Sequence, residues 1–210
     1  MLACLIFDCD GTLVDSERLG MEAFVATLAT LGILVSTDNC LERYRGWQLD
    51  AMVSDVARRT SDFRGDEFIP LYRKHERELL ASQLRPIPGV KRMLDRLILP
   101  KCVASSAPLD KIRRSLQTTG LGHYFGEKLF SSYEIKSWKP EPDLFLHAAK
   151  SMGFLSSQCA VIEDSRVGVE AALAARMKVF YFGSEQKITE MGEVTMFQHM
   201  SELPNLILSS

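Results

Sequence analysis

Asp8 and Asp10 stand two residues apart at the end of the apolar run Ala3-Cys4-Leu5-Ile6-Phe7, within Asp8-Cys9-Asp10-Gly11-Thr12-Leu13-Val14-Asp15-Ser16. Side chains of a strand alternate with period two, so both carboxylates leave the strand toward similar sides. In parallel α/β sheets, ligands bind beyond the carboxyl ends of the strands. Two carboxylates held there repel each other and are costly unless they share a proton or a cation. Magnesium takes oxygen ligands and bridges to phosphate oxygens, so the pattern points to metal-assisted phosphoryl chemistry. Gly-Thr and a further Asp-Ser directly after the strand set it apart from a solvated acidic turn.

Three more segments carry reactive groups at comparable places. Val103-Ala104-Ser105-Ser106 is an apolar run ending in hydroxyls. Such a serine ahead of a helix holds a phosphoryl oxygen by its hydroxyl and nearby N–H groups, or serves as an N-cap, which Ser106 would suit. Lys139, in Ser137-Trp138-Lys139-Pro140-Glu141-Pro142, lies in backbone stiffened by proline, although a lone lysine is ordinarily a solvated charge. Val161-Ile162-Glu163-Asp164-Ser165 is another apolar run ending in two acids. Its competing reading is a helix N-cap by Asp164 or Ser165.

The elements that must position these groups follow from periodicity. Ala3–Phe7, Cys102–Ala104, Leu129–Phe130, Ala160–Ile162 and Val179–Phe182 read as buried strands. Between them lie helical patterns, which predicts an α/β fold with a parallel sheet covered on both faces. One helix follows Pro88-Gly89 with Val90, Met93, Leu94 and Leu97 inward. A second runs from Pro108 with Leu109, Ile112 and Leu116, ending at Gly120. A third runs from Pro142 through Leu144, Phe145 and Ala148 to Gly153. Ser165 to Met177 reads as helix throughout. Val14 to Leu84 holds no convincing strand but three amphipathic stripes. These are Ala23, Phe24, Thr27, Leu28 and Leu31; Met52, Val53, Val56 and Ala57; and Phe68, Tyr72 and Leu79. The segment is therefore read as a helical insertion into the α/β core.

Composition narrows the partners. Of 210 residues, 46% are hydrophobic and 25% charged, and the net charge is −2. That is ordinary globular composition, without the basic footprint of a nucleic-acid or anionic-membrane binder. The opening apolar run lacks a basic flank and stops at Asp8, so no signal peptide or membrane span is expected. Cys4, Cys9, Cys40, Cys102 and Cys159 show no paired spacing, which predicts free thiols and a cytoplasmic protein. The four histidines have no metal-ligand spacing, and the default oligomeric state is a monomer.

Asp8 to Ser16 resembles the first signature of the haloacid dehalogenase superfamily, in its phosphatase and phosphomutase branch. The other three segments match that family's pattern in order, so the resemblance runs the length of the chain. It implies a Rossmann-like three-layer core with a central parallel sheet, residues 1–13 and 86–210, plus an inserted α-helical cap domain, residues 14–85. A mobile cap would hinge near Leu13 to Ser16 and Leu84 to Pro88. The resemblance further implies Mg2+ held by Asp8, Asp10 (by its carbonyl) and Asp164, with Glu163 acting through water. Asp8 would be the nucleophile that becomes an aspartyl-phosphate, and Asp10 the general acid and then base. Ser105, the Ser106 backbone, Gly11, Thr12 and Lys139 would hold the phosphoryl group, with Thr12 also orienting Asp10.

The activity so implied is hydrolysis of a small phosphorylated metabolite. Asp8 to Glu17, Tyr133 to Pro140 and Val179 to Phe182 narrow the resemblance to phosphatases of sugar-acid phosphates such as 6-phosphogluconate. The alternative is an isomerase like the related β-phosphoglucomutases, but Gly20 stands where those carry a cap histidine. The segment after Gly46 also departs from theirs, reading Trp47-Gln48-Leu49-Asp50. A dehalogenase would not need Asp10. A catalytically dead phosphate-binding module is disfavoured because each motif position keeps a competent residue. Arg43, Arg45 and Trp47 are the cap residues expected to meet substrate, against surface charge for the arginines and core packing for Trp47.

Overall fold

The computed structural model describes residues 1–44, 47–61 and 63–209. The chain divides into two compact units, Met1–Asp15 with Arg85–Ser210, and Ser16–Leu84.

The second unit is helical: α1 (Glu17–Thr30), α2 (Thr37–Tyr44), α3 (Leu49–Arg59) and α4 (Gly65–Gln83). Ala23, Phe24, Leu28, Met52, Val56, Phe68 and Tyr72 form its core, and Phe24 meets Phe68 and Tyr44 edge-on at 5.2 and 5.7 Å. Each such buried ring contributes roughly 2 kcal/mol. The stripe expected on α3 is corrected, because Ala57 faces solvent and Asp55 is buried. Partners explain the buried acid. Arg43 donates from Nε and Nη2 to Asp55 Oδ2 at 3.0 and 2.8 Å, Tyr44 donates to the same oxygen, and Arg58 and Arg59 reach Oδ1. Burial would raise the Asp55 carboxyl, but these donors outweigh it and hold it well below the usual range. Among the described residues no helix is long and apolar enough to cross a membrane.

Among its described residues the first unit carries six parallel strands: β1 (Cys4–Phe7), β2 (Lys101–Ser105), β3 (Leu129–Ser131), β4 (Cys159–Glu163), β5 (Lys178–Phe182) and β6 (Val194–Phe197), ordered β3-β2-β1-β4-β5-β6. Cys4, Leu5, Ile6 and Phe7 are all fully buried, as expected of a parallel strand covered on both faces. Among the described residues, seven α-helices accompany the sheet: α5 (Val90–Arg96), α6 (Leu109–Thr118), α7 (Gly122–Phe125), α8 (Ser132–Ile135), α9 (Asp143–Met152), α10 (Arg166–Ala174) and α11 (Leu203–Leu208). On one face, Cys4, Ile6, Cys102, Cys159, Val161 and Val179 pack against Leu144, Phe145 and Ala148 of α9 and Val169 and Ala172 of α10. On the other, Phe7 meets Phe125 of α7 edge-on at 5.9 Å.

Two expectations change. The helix read through Met177 stops three residues earlier, at Ala174, where Arg176 adopts a left-handed φ of 56° and Met177 N–H donates back to Ala172. A sixth strand, β6, was not read from the sequence. It is short and only half-buried along most of its length, so it lacks the apolar run that marked the others. The strand order places a topological switch between β1 and β4, where their connections diverge.

Candidate active site

Asp8 is the first residue beyond β1, and its N–H donates to the Ile162 carbonyl of β4 at 3.0 Å. The ladder therefore fixes the backbone up to the carboxylate. Asp8 is buried, and Lys139 Nζ lies 2.5 Å from its Oδ1 and 2.5 Å from Glu163 Oε1. Lys139 precedes α9, so three separated segments meet at one ammonium. Glu163 turns its other oxygen to Ser165, accepting from N–H at 2.7 Å and from the hydroxyl at 2.8 Å. Ser165 in turn accepts from Gly168 N–H, capping α10, so the N-cap reading of this segment holds for Ser165. A Cβ on Gly168 would overlap the Glu163 carboxylate.

The chain after Asp8 turns sharply. Leu13 and Val14 N–H donate to the Cys9 carbonyl, and Gly11 N–H donates to Val14 at 2.9 Å. Gly11 has φ of 84°, and a Cβ there would run into the Asp164 carboxylate. Thr12 is fully buried and its hydroxyl donates to Asp164 Oδ1 at 2.7 Å. Thr12 was expected to orient Asp10; its hydroxyl orients Asp164 instead.

At the end of β2, Ser105 is buried and its Oγ accepts from Ala107 N–H at 3.2 Å. The N-cap of α6 is Pro108, without a side-chain cap, so the capping role considered for Ser106 is not the one it takes. Lys111, on the first turn of α6, places Nζ 3.4 Å from Asp10 Oδ2. Sequence reasoning missed Lys111, since nothing local distinguishes it from other helix-surface lysines.

In the helical unit, Arg43 is engaged by Asp55, and Trp47 is exposed, with its ring edge-on to Tyr44 at 5.5 Å. The core packing considered for Trp47 is thus corrected. Arg45 lies outside the described residues. Trp138 is half-exposed beside Tyr133.

Acidic charge exceeds basic charge here. Burial pushes the Asp8 carboxyl up to about 7 against the pull of Lys139, with Glu163 and Asp10 adding to the rise. Burial, then Glu163 and Asp8, lift Asp164 well above its ordinary value, with Thr12 opposing. Burial would lower Lys139, but Asp8 and Glu163 outweigh it and keep the ammonium charged. Cys9 is held as a neutral thiol by burial and its two acidic neighbours. Among the described residues no three His, Cys, Asp or Glu side chains form a ready cage. Magnesium seldom needs one, being held by one or two carboxylates together with water and phosphate oxygens. Asp8 and Asp164, all-oxygen donors with unbalanced negative charge, fit that pattern. Glu163 has both oxygens engaged by Lys139 and Ser165.

The sequence model of haloacid dehalogenase-like hydrolases matches residues 5–182. The chain is 35% identical over 208 residues to 6-phosphogluconate phosphatase of Escherichia coli, covering 98% of this chain and 94% of that protein. It is 32% identical over 179 residues to hexitol phosphatase B of Escherichia coli, covering 82% of this chain and 80% of the relative. The crystal structure of a haloacid dehalogenase-like protein from Agrobacterium tumefaciens superimposes with a TM-score of 0.86 at 30% identity, covering 100% of this chain and 99% of that one.

Proposed function

Because the chain belongs to the haloacid dehalogenase-like hydrolase family, we propose that it is a magnesium-dependent phosphatase of sugar phosphates or sugar-acid phosphates, acting through an aspartyl-phosphate on Asp8. The observation that carries this reading is the buried Asp8 carboxylate at the β1–β4 switch point, held by Lys139 at 2.5 Å. Phosphoryl transfer needs in-line positioning and neutralised charge more than elaborate covalent machinery.

In the first half-reaction an Asp8 oxygen bonds to phosphorus as the bond to the substrate's ester oxygen breaks. The departing alkoxide takes a proton from the Asp10 carboxyl and leaves as an alcohol. In the second, water gives its proton to Asp10 and bonds to phosphorus, the Asp8–phosphorus bond breaks, and inorganic phosphate leaves. Lys139 and the Ser105 hydroxyl, with the N–H groups near Ser106 and Thr12, bind the phosphoryl oxygens and stabilise their charge; the Gly11 N–H, expected to join them, is already donated to the Val14 carbonyl. Asp8, Asp164 and the Asp10 carbonyl would hold magnesium, which supplies positive charge where two anions must meet. Glu163 keeps Lys139 in place.

The division into a core of residues 1–13 and 86–210 and a cap of residues 14–85 belongs to this proposal, as does Trp47 as a substrate-facing residue. Sugar acids enter through the relative that acts on 6-phosphogluconate. The test is phosphate release from a panel of phosphorylated sugars, sugar acids and nucleotides, with magnesium or chelator. Magnesium-dependent release from the sugar esters, lost in Asp8→Asn, supports the reading. Full turnover by Asp8→Asn, or movement of phosphate without release, defeats it.

A further inference from the structure

Lys111, which pairs with Asp10, lies outside the motifs that the sequence singles out. Lys111 sits one residue before Ile112, which with Ser115 and Leu116 anchors α6 in the buried interior. The first turn of this helix is thus fixed against the sheet, and the lysine side chain is largely covered, at 17% exposure. Its Nζ reaches Oδ2 of Asp10, whose own side chain is 31% exposed. A largely covered lysine side chain against a partly exposed carboxylate is a different situation from a surface pair, which salt and side-chain entropy reduce to near nothing. Asp8 and Glu163 already share Lys139. Lys139 thus serves Asp8 and Glu163, and Lys111 serves Asp10.

We propose that Lys111 is a positioning residue for the leaving-group step: by holding Asp10 Oδ2 it fixes where Oδ1 points, so that the proton passes to the departing ester oxygen. This rests on the phosphatase reading above. The step is the one already balanced there: the phosphorus–oxygen bond to the alcohol breaks, and the Asp10 proton ends on that oxygen. A misdirected acid costs rate in proportion to how much the leaving group needs the proton. An alkoxide from a sugar ester needs it badly, whereas 4-nitrophenolate departs without it.

The experiment compares kcat/KM for glucitol 6-phosphate and 4-nitrophenyl phosphate in wild type, Lys111→Met and Lys111→Arg, with melting temperature as a fold control. Lys111→Met is expected to lower the ratio of alkyl to aryl ester by about tenfold, mainly through kcat, and Lys111→Arg to restore most of it. Equal losses on both esters would overturn the assignment. So would a rise in KM with kcat intact, which would make Lys111 a substrate contact. Asp8→Asn separates the two claims. If it stays active the phosphatase reading fails; if it is inert while Lys111→Met leaves the ratio unmoved, only the role of Lys111 fails.

Discussion

Lys139 Nζ stands 2.5 Å from Asp8 Oδ1, inside a site where both side chains are nearly inaccessible. A buried charge persists only when paired, and here one ammonium serves both Asp8 and Glu163. The pair joins the end of β1 to the segment before α9, so it is a fold contact as well as a chemical one.

Replacing Lys139 with Met removes that ammonium and leaves two buried carboxylates facing each other. Folding stability is expected to fall by about 3–5 kcal/mol in urea titrations. Turnover is expected to fall by roughly 10²–10³, because the proposed mechanism makes this ammonium a preorganised donor to the transferring phosphoryl group. A variant as stable and as active as wild type would remove Lys139 from the account.

Thr12 orients Asp164 through the 2.7 Å hydrogen bond from its hydroxyl. Partners behind a metal ligand typically change affinity by about 10–100-fold when removed. Magnesium should raise the melting temperature of the wild-type protein, by mass action on the folded state. In Thr12→Val, about tenfold more magnesium should be needed for half of that rise. Identical magnesium titrations of the two proteins would show that Thr12 does not support a metal ligand.

Asp55 is ionised in the folded helical unit well below the usual carboxylate range, because Arg43, Tyr44, Arg58 and Arg59 outweigh its burial. A carboxyl depressed on folding stabilises above its unfolded value, about 3.9, and loses that contribution as pH falls through the folded one. Asp55→Asn should therefore melt lower than wild type at pH 7, with the gap narrowing as pH drops below about 4. A constant gap across that range would mean that packing, not charge, accounts for the loss.

How much of this was visible in the sequence depends on where each contact is encoded. Asp8, Ser105 and Glu163 sit at the ends of apolar strands, and a strand buried on both faces announces itself as an unbroken run. β6 escaped because Val194 to Met196 are only half-buried at the sheet edge. The Thr12–Asp164 bond spans 152 residues and has no local trace. Asp55 was hidden by its neighbours: Met52 and Val56 marked the face of α3 as apolar, and only its arginine and tyrosine partners make an acid tenable there. Arg43 was legible as a charge near the end of α2, yet not as one committed to Asp55.

The central claim is that Asp8 carries the phosphoryl group between the two half-reactions. Asp10→Asn with 4-nitrophenyl phosphate isolates that moment, since the aryl group leaves without an acid while hydrolysis of the intermediate loses its base. Acid quenching and peptide mass mapping should find phosphate on the Asp8 side chain, together with a burst of nitrophenolate. Phosphate on any other residue, or free phosphate appearing while the protein stays unmodified throughout, would contradict the account.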